Sequence, residues 1–179
     1  VVTLLRQSDP NLKYEVFLRL NTGGENLKPQ EIRNVAFDGS LNKLLYELSE
    51  NEILRRKLKI TSKSSNAYRK MEDLEHILRY FTLSNQFESM GSVLSKAMDH
   101  FMYEHRDLND DGIQKFRDSF NRSIHYCNII WPDVAFYKPI ENGWRQQLIS
   151  PLYDAQMVAV SLLDDNQLNL LSQRSNDVI

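Results

Sequence analysis

Apolar residues recur every three or four positions along most of this chain, and the repeat restarts after each capping or turn signal, the pattern of successive amphipathic helices. Tyr14, Phe17, Leu18 and Leu20 set the first stretch. Ser8 or Asp9 stands where a cap belongs, Pro10 fits the first helical position, and Gly23 or Gly24 supplies the left-handed backbone that ends a helix. Pro29 opens a second helix. Ser40 is placed to cap a third, whose stripe is Leu41, Leu44, Leu45 and Leu48, and a short helix covers 51–58. Met71, Leu74, Ile77, Leu78 and Phe81 predict a helix over 70–83. Leu94, Ala97, Met98, Phe101 and Met102 predict one over 93–105. Phe116, Phe120, Ile124, Cys127 and Ile130 predict the longest, over 113–130, ended by Trp131-Pro132. Pro151 opens a helix with Leu152, Ala155, Val158, Ala159 and Leu162 inward, and Asp164-Asp165-Asn166 caps a last one running to Leu171.

Strand signals are few. Val1-Val2-Thr3-Leu4-Leu5 is rich in β-branched residues, and 1–7 reads as a short strand. No later segment offers it a convincing partner. Residues 135–139 read as a loop or short extended piece, Asn142-Gly143 as a turn, and Trp144 as an anchor that packs the loop down. The pattern predicts a mainly α fold, one bundle-like multi-helix domain over 1–179, with a single N-terminal β-strand left from a sheet that lies upstream.

At 179 residues the chain is long enough for one domain. Its 41% hydrophobic and 26% charged residues are ordinary for a globular protein. No apolar run approaches the ~20 residues of a membrane span and no basic-then-apolar leader precedes the first helix, so a cytoplasmic protein without a membrane partner is expected. Cys127 is the only cysteine; it excludes an internal disulfide and reads as a core residue of an apolar helix. His100 and His105 are five apart, a poor spacing for two ligands on one helix face, and no metal-ligand motif occurs, so no metal site is expected. A net charge of −2 gives no global attraction to nucleic acid, which places the burden on a local patch.

Such a patch is present in the sequence. Between Arg55 and Lys70 run Arg55, Arg56, Lys57, Lys59, Lys63, Arg69 and Lys70 with no acidic residue among them, and Ser62, Ser64, Ser65 and Asn66 mark a loop. Arg55, Arg56, Lys57, Lys59 and Lys63 are the candidate contacts to a DNA backbone. A solvated loop without specific contacts accounts for the same run and is the commoner use of such charge. Glu75 and Arg79 stand four apart, either as a surface ion pair or with one of them buried against another element. Asp107-Leu108-Asn109-Asp110-Asp111-Gly112 follows the opening of a calcium-binding loop, but the closing Asp118 is a methylene short and Lys115 adds a positive charge. Capping of the next helix by Asn109 or Asp110 fits better.

Phe17-x-x-x-Asn21-x-x-Gly24-x-x-Leu27, with Arg19-Leu20-Asn21-Thr22-Gly23-Gly24 and Pro29-Gln30-Glu31-Ile32-Arg33-Asn34, resembles the second signature of the GmrSD-type restriction endonuclease N-terminal-domain family. Met71-Glu72-Asp73-Leu74-Glu75-His76-Ile77-Leu78-Arg79-Tyr80-Phe81 is similar to that family's acidic-then-arginine helix, and Leu152-Tyr153-Asp154-Ala155-Gln156-Met157 to its late helix. The family's first signature, Asp-Gly-Gln-Gln-Arg in a ParB-like N-terminal half, is absent from the chain, so the resemblance is to the helical C-terminal half. It implies a parent that couples nucleotide hydrolysis to cleavage of phage or modified DNA, using a nucleoside triphosphate and a divalent metal. The chain itself would hold no cofactor and be inactive alone. Its partners would be the upstream ParB-like half and DNA. Phe17, Asn21, Gly23, Gly24, Leu27, Arg33 and Asn34 would form the turn that completes the nucleotide or DNA site, Asn21 offering donor and acceptor at a helix end beside two glycines. The residues alone contain no nucleophile with a matched base, no metal-ligand spacing and no Walker loop, and they support equally a non-catalytic helical protein-interaction module.

Overall fold

The computed structural model describes residues 9–20, 27–86 and 93–175; the expected strand at 1–7 lies outside them. Among the described residues the chain forms ten helices: α1 (Pro10–Leu20), α2 (Pro29–Ala36), α3 (Ser40–Leu48), α4 (Glu52–Lys57), α5 (Asn66–Arg69), α6 (Glu72–Gln86), α7 (Leu94–His105), α8 (Asp110–Ile130), α9 (Ser150–Ser161) and α10 (Asp165–Gln173). The fold is mainly α, as the periodicity predicts. No described helix is long and apolar enough to cross a membrane.

The helix starts follow from local chemistry. Asp9 accepts from the Leu12 N–H (3.2 Å), Asn51 from Ile53 and Leu54 (3.0 and 3.2 Å), Asn109 from Gly112 (2.9 Å) and Asp164 from Gln167 (2.9 Å). Each bond satisfies donors that a helix leaves unpaired at its first turn. Gln167 reaches back to the Asp164 N–H, which completes the reciprocal bonds of a capping box, and Glu31 accepts from the Lys28 N–H, which supplies half of one. Ser40 does something else. It is the first helical residue, and its hydroxyl donates to the Arg106 and Leu108 carbonyls (3.2 and 2.8 Å), while the Leu41 N–H donates to Arg106 (3.2 Å). The start of α3 is thereby fixed on the corner between α7 and α8.

α6 is the axis of the core and packs against α2, α3, α5, α7, α8 and α9. Its Leu74, Ile77, Leu78, Tyr80 and Phe81 are buried, as are Leu41, Leu44, Leu45 and Leu48 of α3, Met98, Phe101 and Met102 of α7, and Phe120, Ile124, Cys127 and Ile130 of α8. Phe81 meets Phe116 and Phe120 edge to face, at 4.7 and 6.3 Å between ring centres, a geometry that adds to simple area burial. The Tyr80 hydroxyl, inside the same cluster, is bonded to the hydroxyls of Ser119 and Ser123 (2.6 and 2.9 Å). Cys127 sits 3.8 Å from the Met157 sulfur, and burial pushes its thiol far above the usual range, which makes it an inert core residue.

Two expectations require correction. The chain does contain a paired sheet after the first helices: β1 (Lys138–Ile140) and β2 (Gly143–Arg145) form an antiparallel hairpin with Pro139 opposite Trp144. Gly143 holds φ of 122°, a region open to glycine and costly for other residues. Second, α9 buries Tyr153, Met157 and Val160, whereas Ala155, Ala159 and Leu162 face outward, Leu162 at 75% exposure. The helix has apolar residues on every side, and the large Tyr153 and Met157 side chains decide which face turns in.

Candidate functional site

The expected turn falls between α1 and α2. Asn21, Gly23 and Gly24 lie outside the described residues. Phe17 is half-buried and Leu27 exposed. Arg33 is not at a ligand-facing surface: its side chain is 1% exposed, and it donates to Asp99 (2.6 Å), to the Ser95 hydroxyl and carbonyl (2.8 and 3.1 Å) and to Gln30 (3.4 Å). Asn34 accepts from the Asn42 amide (3.0 Å). These two residues tie α2 to α7 and α3, a bracing role that the sequence reading did not assign. Tyr14 of α1 stacks on Phe37 (5.3 Å), and burial, then its bond to Asp99, raises its phenol well above the usual value. α1 and α2 therefore rest on a platform of buried Arg33 and Phe37 with half-buried Asp99 and Tyr14.

The basic segment divides into residues that are committed and residues that are not. Lys57 is 2% exposed, so it is not the surface cation that the run of charge suggested. Its ammonium donates to the Asp133 carbonyl (2.7 Å) and lies 4.3 Å from the Tyr137 ring centre, pinning α4 to the loop that follows α8. Leu54 and Lys57 are three apart on one helix face, which is why Lys57 turns inward with it. Arg55 is paired with Glu50 and Arg56 donates to Asn128 (2.8 Å). Lys59 and Lys63 are exposed. The loop before α5 is ordered by Ser65, whose hydroxyl oxygen accepts from the Thr61 and Ser62 N–H groups (3.1 and 3.2 Å).

Folding adds to this segment a neighbour from far along the chain. A cleft of about 490 Å³ opens between the end of α4, the α5–α6 corner and the exit of the hairpin, lined by Lys57, Lys59, Asn66, Glu72, Arg145 and Gln147 among others. Arg145 was missed because it lies outside the basic run, and only the hairpin brings it here.

Burial, with the neighbouring charge of Arg56 as a second cause, lowers the Lys57 ammonium from 10.5 to about 8. Between those values the unfolded chain binds more protons than the folded one, so stability rises with pH. The sign reverses for Cys127, Tyr14, Tyr46 and Tyr153, whose protons burial retains in the fold; their contribution falls as pH passes their ordinary values. Urea denaturation from pH 7.5 to 10.5 is expected to show the wild type gaining stability relative to Lys57→Met throughout the window above pH 8. A difference that stays constant with pH would show that Lys57 is not held in a desolvated site.

Two further clusters link the α6 and α9 segments. Arg79 forms a two-pronged pair with Asp154, one prong 3.1 Å long, so its partner is on α9 and not the Glu75 of its own helix. His76 packs edge-on against Tyr153 (5.0 Å), with Nδ1 on the Glu72 carbonyl (2.6 Å) and Nε2 3.2 Å from the Ser150 hydroxyl. Burial holds its imidazole below the usual range and therefore neutral. A serine beside a neutral histidine has the elements of a nucleophile and base. Here Pro151 removes an N–H next to Ser150, and the Leu152 and Tyr153 N–H groups already donate to Ile149, so none of these three neighbouring positions offers a donor to an oxyanion. The pair is a staple between α6 and α9. In the acidic loop, Asp107 contacts Arg106 (3.0 Å), Asp118 accepts from Gln114 (2.8 Å), and Asn109 caps α8; no metal-holding cluster occurs among the described residues.

No protein-family model, curated protein or solved structure matches the chain.

Proposed function

We propose that the chain is the helical part of a GmrSD-type DNA-targeting defence protein, and that its α1–α2 corner completes a nucleotide or DNA site whose remaining residues come from a ParB-like half. The observation that supports this reading is how the corner is braced. Arg33, at 1% exposure, holds α2 to α7 through Asp99 and Ser95, and Asn34 holds it to α3. A site residue on the connection between α1 and α2 is thus carried on a base that does not itself need ligand to be ordered, the arrangement a preorganised site requires. Arg79 and Asp154, one from each of the other two segments that resemble the family, form a half-buried pair, and α2 packs against α6, which joins the three stretches in one scaffold.

The test is Asn21→Ala in the protein joined to its upstream half. On this reading nucleotide hydrolysis and DNA cleavage fall at least a hundredfold while the melting temperature holds. A loss of stability on the order of 1 kcal/mol with full turnover would identify Asn21 as a helix-end brace instead and would favour the interaction-module reading.

A further inference from the structure

We propose that the cleft between α4, the α5–α6 corner and the hairpin exit is a binding site for the phosphodiester backbone of a single nucleic-acid strand, with Lys59 and Arg145 as its principal cations. It goes beyond the α1–α2 reading and stands without it, since it concerns binding by other elements.

Lys59 carries the first argument. At the end of α4 its own N–H donates to the Arg56 carbonyl (3.1 Å) and the Ile60 N–H to the Arg55 carbonyl (2.8 Å). This is the double closure of a Schellman motif, in which the residue at the Lys59 position takes left-handed backbone and is usually glycine. Lys59 has φ of 57°. A lysine there is less stable than glycine would be, and a strained residue kept on a cleft wall points to work done by its side chain. Among the described residues neither Lys59 nor Arg145 has an ion-pair partner, unlike Arg55, Arg79, Arg117 and Arg122, each of which has a carboxylate. Two cations from segments far apart in the chain thus line one concavity, neither of them held in an ion pair.

The remaining lining narrows the ligand. Asn66, Gln146 and Gln147 supply neutral donors and acceptors, and Glu72 is the single carboxylate. Lys57 adds its field to the wall, although its ammonium is already bonded to Asp133. Lys63 and Arg69, exposed on the segment between Lys59 and Glu72, have no ion-pair partner among the described residues, so positive charge continues along the chain on either side of Asn66. A mononucleotide would use only the cleft, whereas a strand uses both. A cleft of about 490 Å³ is sized for a short piece of one strand, and amides beside cations suit a backbone with splayed bases.

The experiment is fluorescence anisotropy of a labelled 12-nucleotide single strand titrated with the 179-residue chain at several salt concentrations. Lys59→Glu/Arg145→Glu should weaken binding at least tenfold and flatten the log-log salt dependence by about 1.4, the contribution of two phosphate contacts on a single strand. Lys43→Glu/Lys115→Glu, which changes net charge equally at exposed positions of α3 and α8, should stay within twofold of wild type. Lys59→Gly relieves the left-handed lysine, so it should melt higher than wild type and still bind several-fold more weakly; weaker binding there is not a folding defect. Absence of binding by the wild type at low salt overturns the proposal, as does equal weakening by the two charge-reversed pairs. A mononucleotide that competes as well as the 12-mer, or a duplex that binds more tightly than the single strand, overturns the assignment to a strand.

Discussion

Arg33→Ala is expected to destabilise the fold by about 3 kcal/mol, the lower end of what breaking a buried ion pair costs. The side chain is 1% exposed and Asp99 is 21% exposed, so water relieves the orphaned carboxylate only in part. Removal also empties the volume of a large side chain and strips the Ser95 hydroxyl and carbonyl of their donor. Lysine does not restore the network: Nε serves Asp99 while Nη2 serves Ser95, a fork that one ammonium cannot reproduce. Arg33→Lys should therefore recover less than half of the loss. Guanidinium unfolding of the two variants reads both values, and a cost below about 1 kcal/mol for the alanine change would mean that α2 is not braced by this residue.

Gly39→Ala is the second large effect, expected to cost about 3 kcal/mol as an overpacking substitution against rigid backbone. Gly39 has extended backbone that any residue adopts, so conformational freedom is not the reason for glycine. The reason is proximity: an added Cβ would lie 2.2 Å from the Arg106 carbonyl oxygen and 2.9 Å from its carbon. That carbonyl also accepts from Ser40 and Leu41, so moving it away breaks the bonds that seat α3 on the α7–α8 corner. Serine at position 39 should be at least as harmful as alanine. A melting temperature within a degree of wild type would show that the corner yields.

The caps of α8 and α10 and the inward stripes of α3, α6, α7 and α8 were legible because each rests on residues close in sequence: a side-chain acceptor three positions before its donor, or apolar groups one turn apart; Ser40, expected to cap α3, instead bonds a distant corner. Elements decided by distant partners were not. The orientation of α9 depends on Asp154 meeting Arg79 and on Tyr153 meeting His76 and Phe136, and a helix apolar on all sides gives no periodic hint of that choice. The hairpin is flanked by only three residues a side, one a proline, too few to alternate. Its turn signal at Asn142-Gly143 was readable; its pairing was not. Of the basic run, Lys59 and Lys63 reach the surface as expected, Lys57 does not, and Arg145 joins only through the hairpin. The inward use of Arg33 had one sequence clue, its place one residue after Ile32 and three after Gln30 on a helix whose other face is polar, and that clue does not distinguish a brace from a ligand contact.

Three of the ties that fix the first half of the chain reach far forward. Arg33 finds its carboxylate 66 residues later, Lys57 its carbonyl 76 residues later and Arg79 its partner 75 residues later. A ribosome adding about 5 to 20 residues per second therefore makes Arg33 several seconds before Asp99, and Arg79 several seconds before Asp154. During that interval α2, α3 and α6 have one another but not α7, α8 and α9 to cover their apolar faces. The nascent chain is thus most open to chaperone capture between the synthesis of α4 and that of α9, and slow codons placed in that span would lengthen its exposure where the same codons after α9 would be harmless.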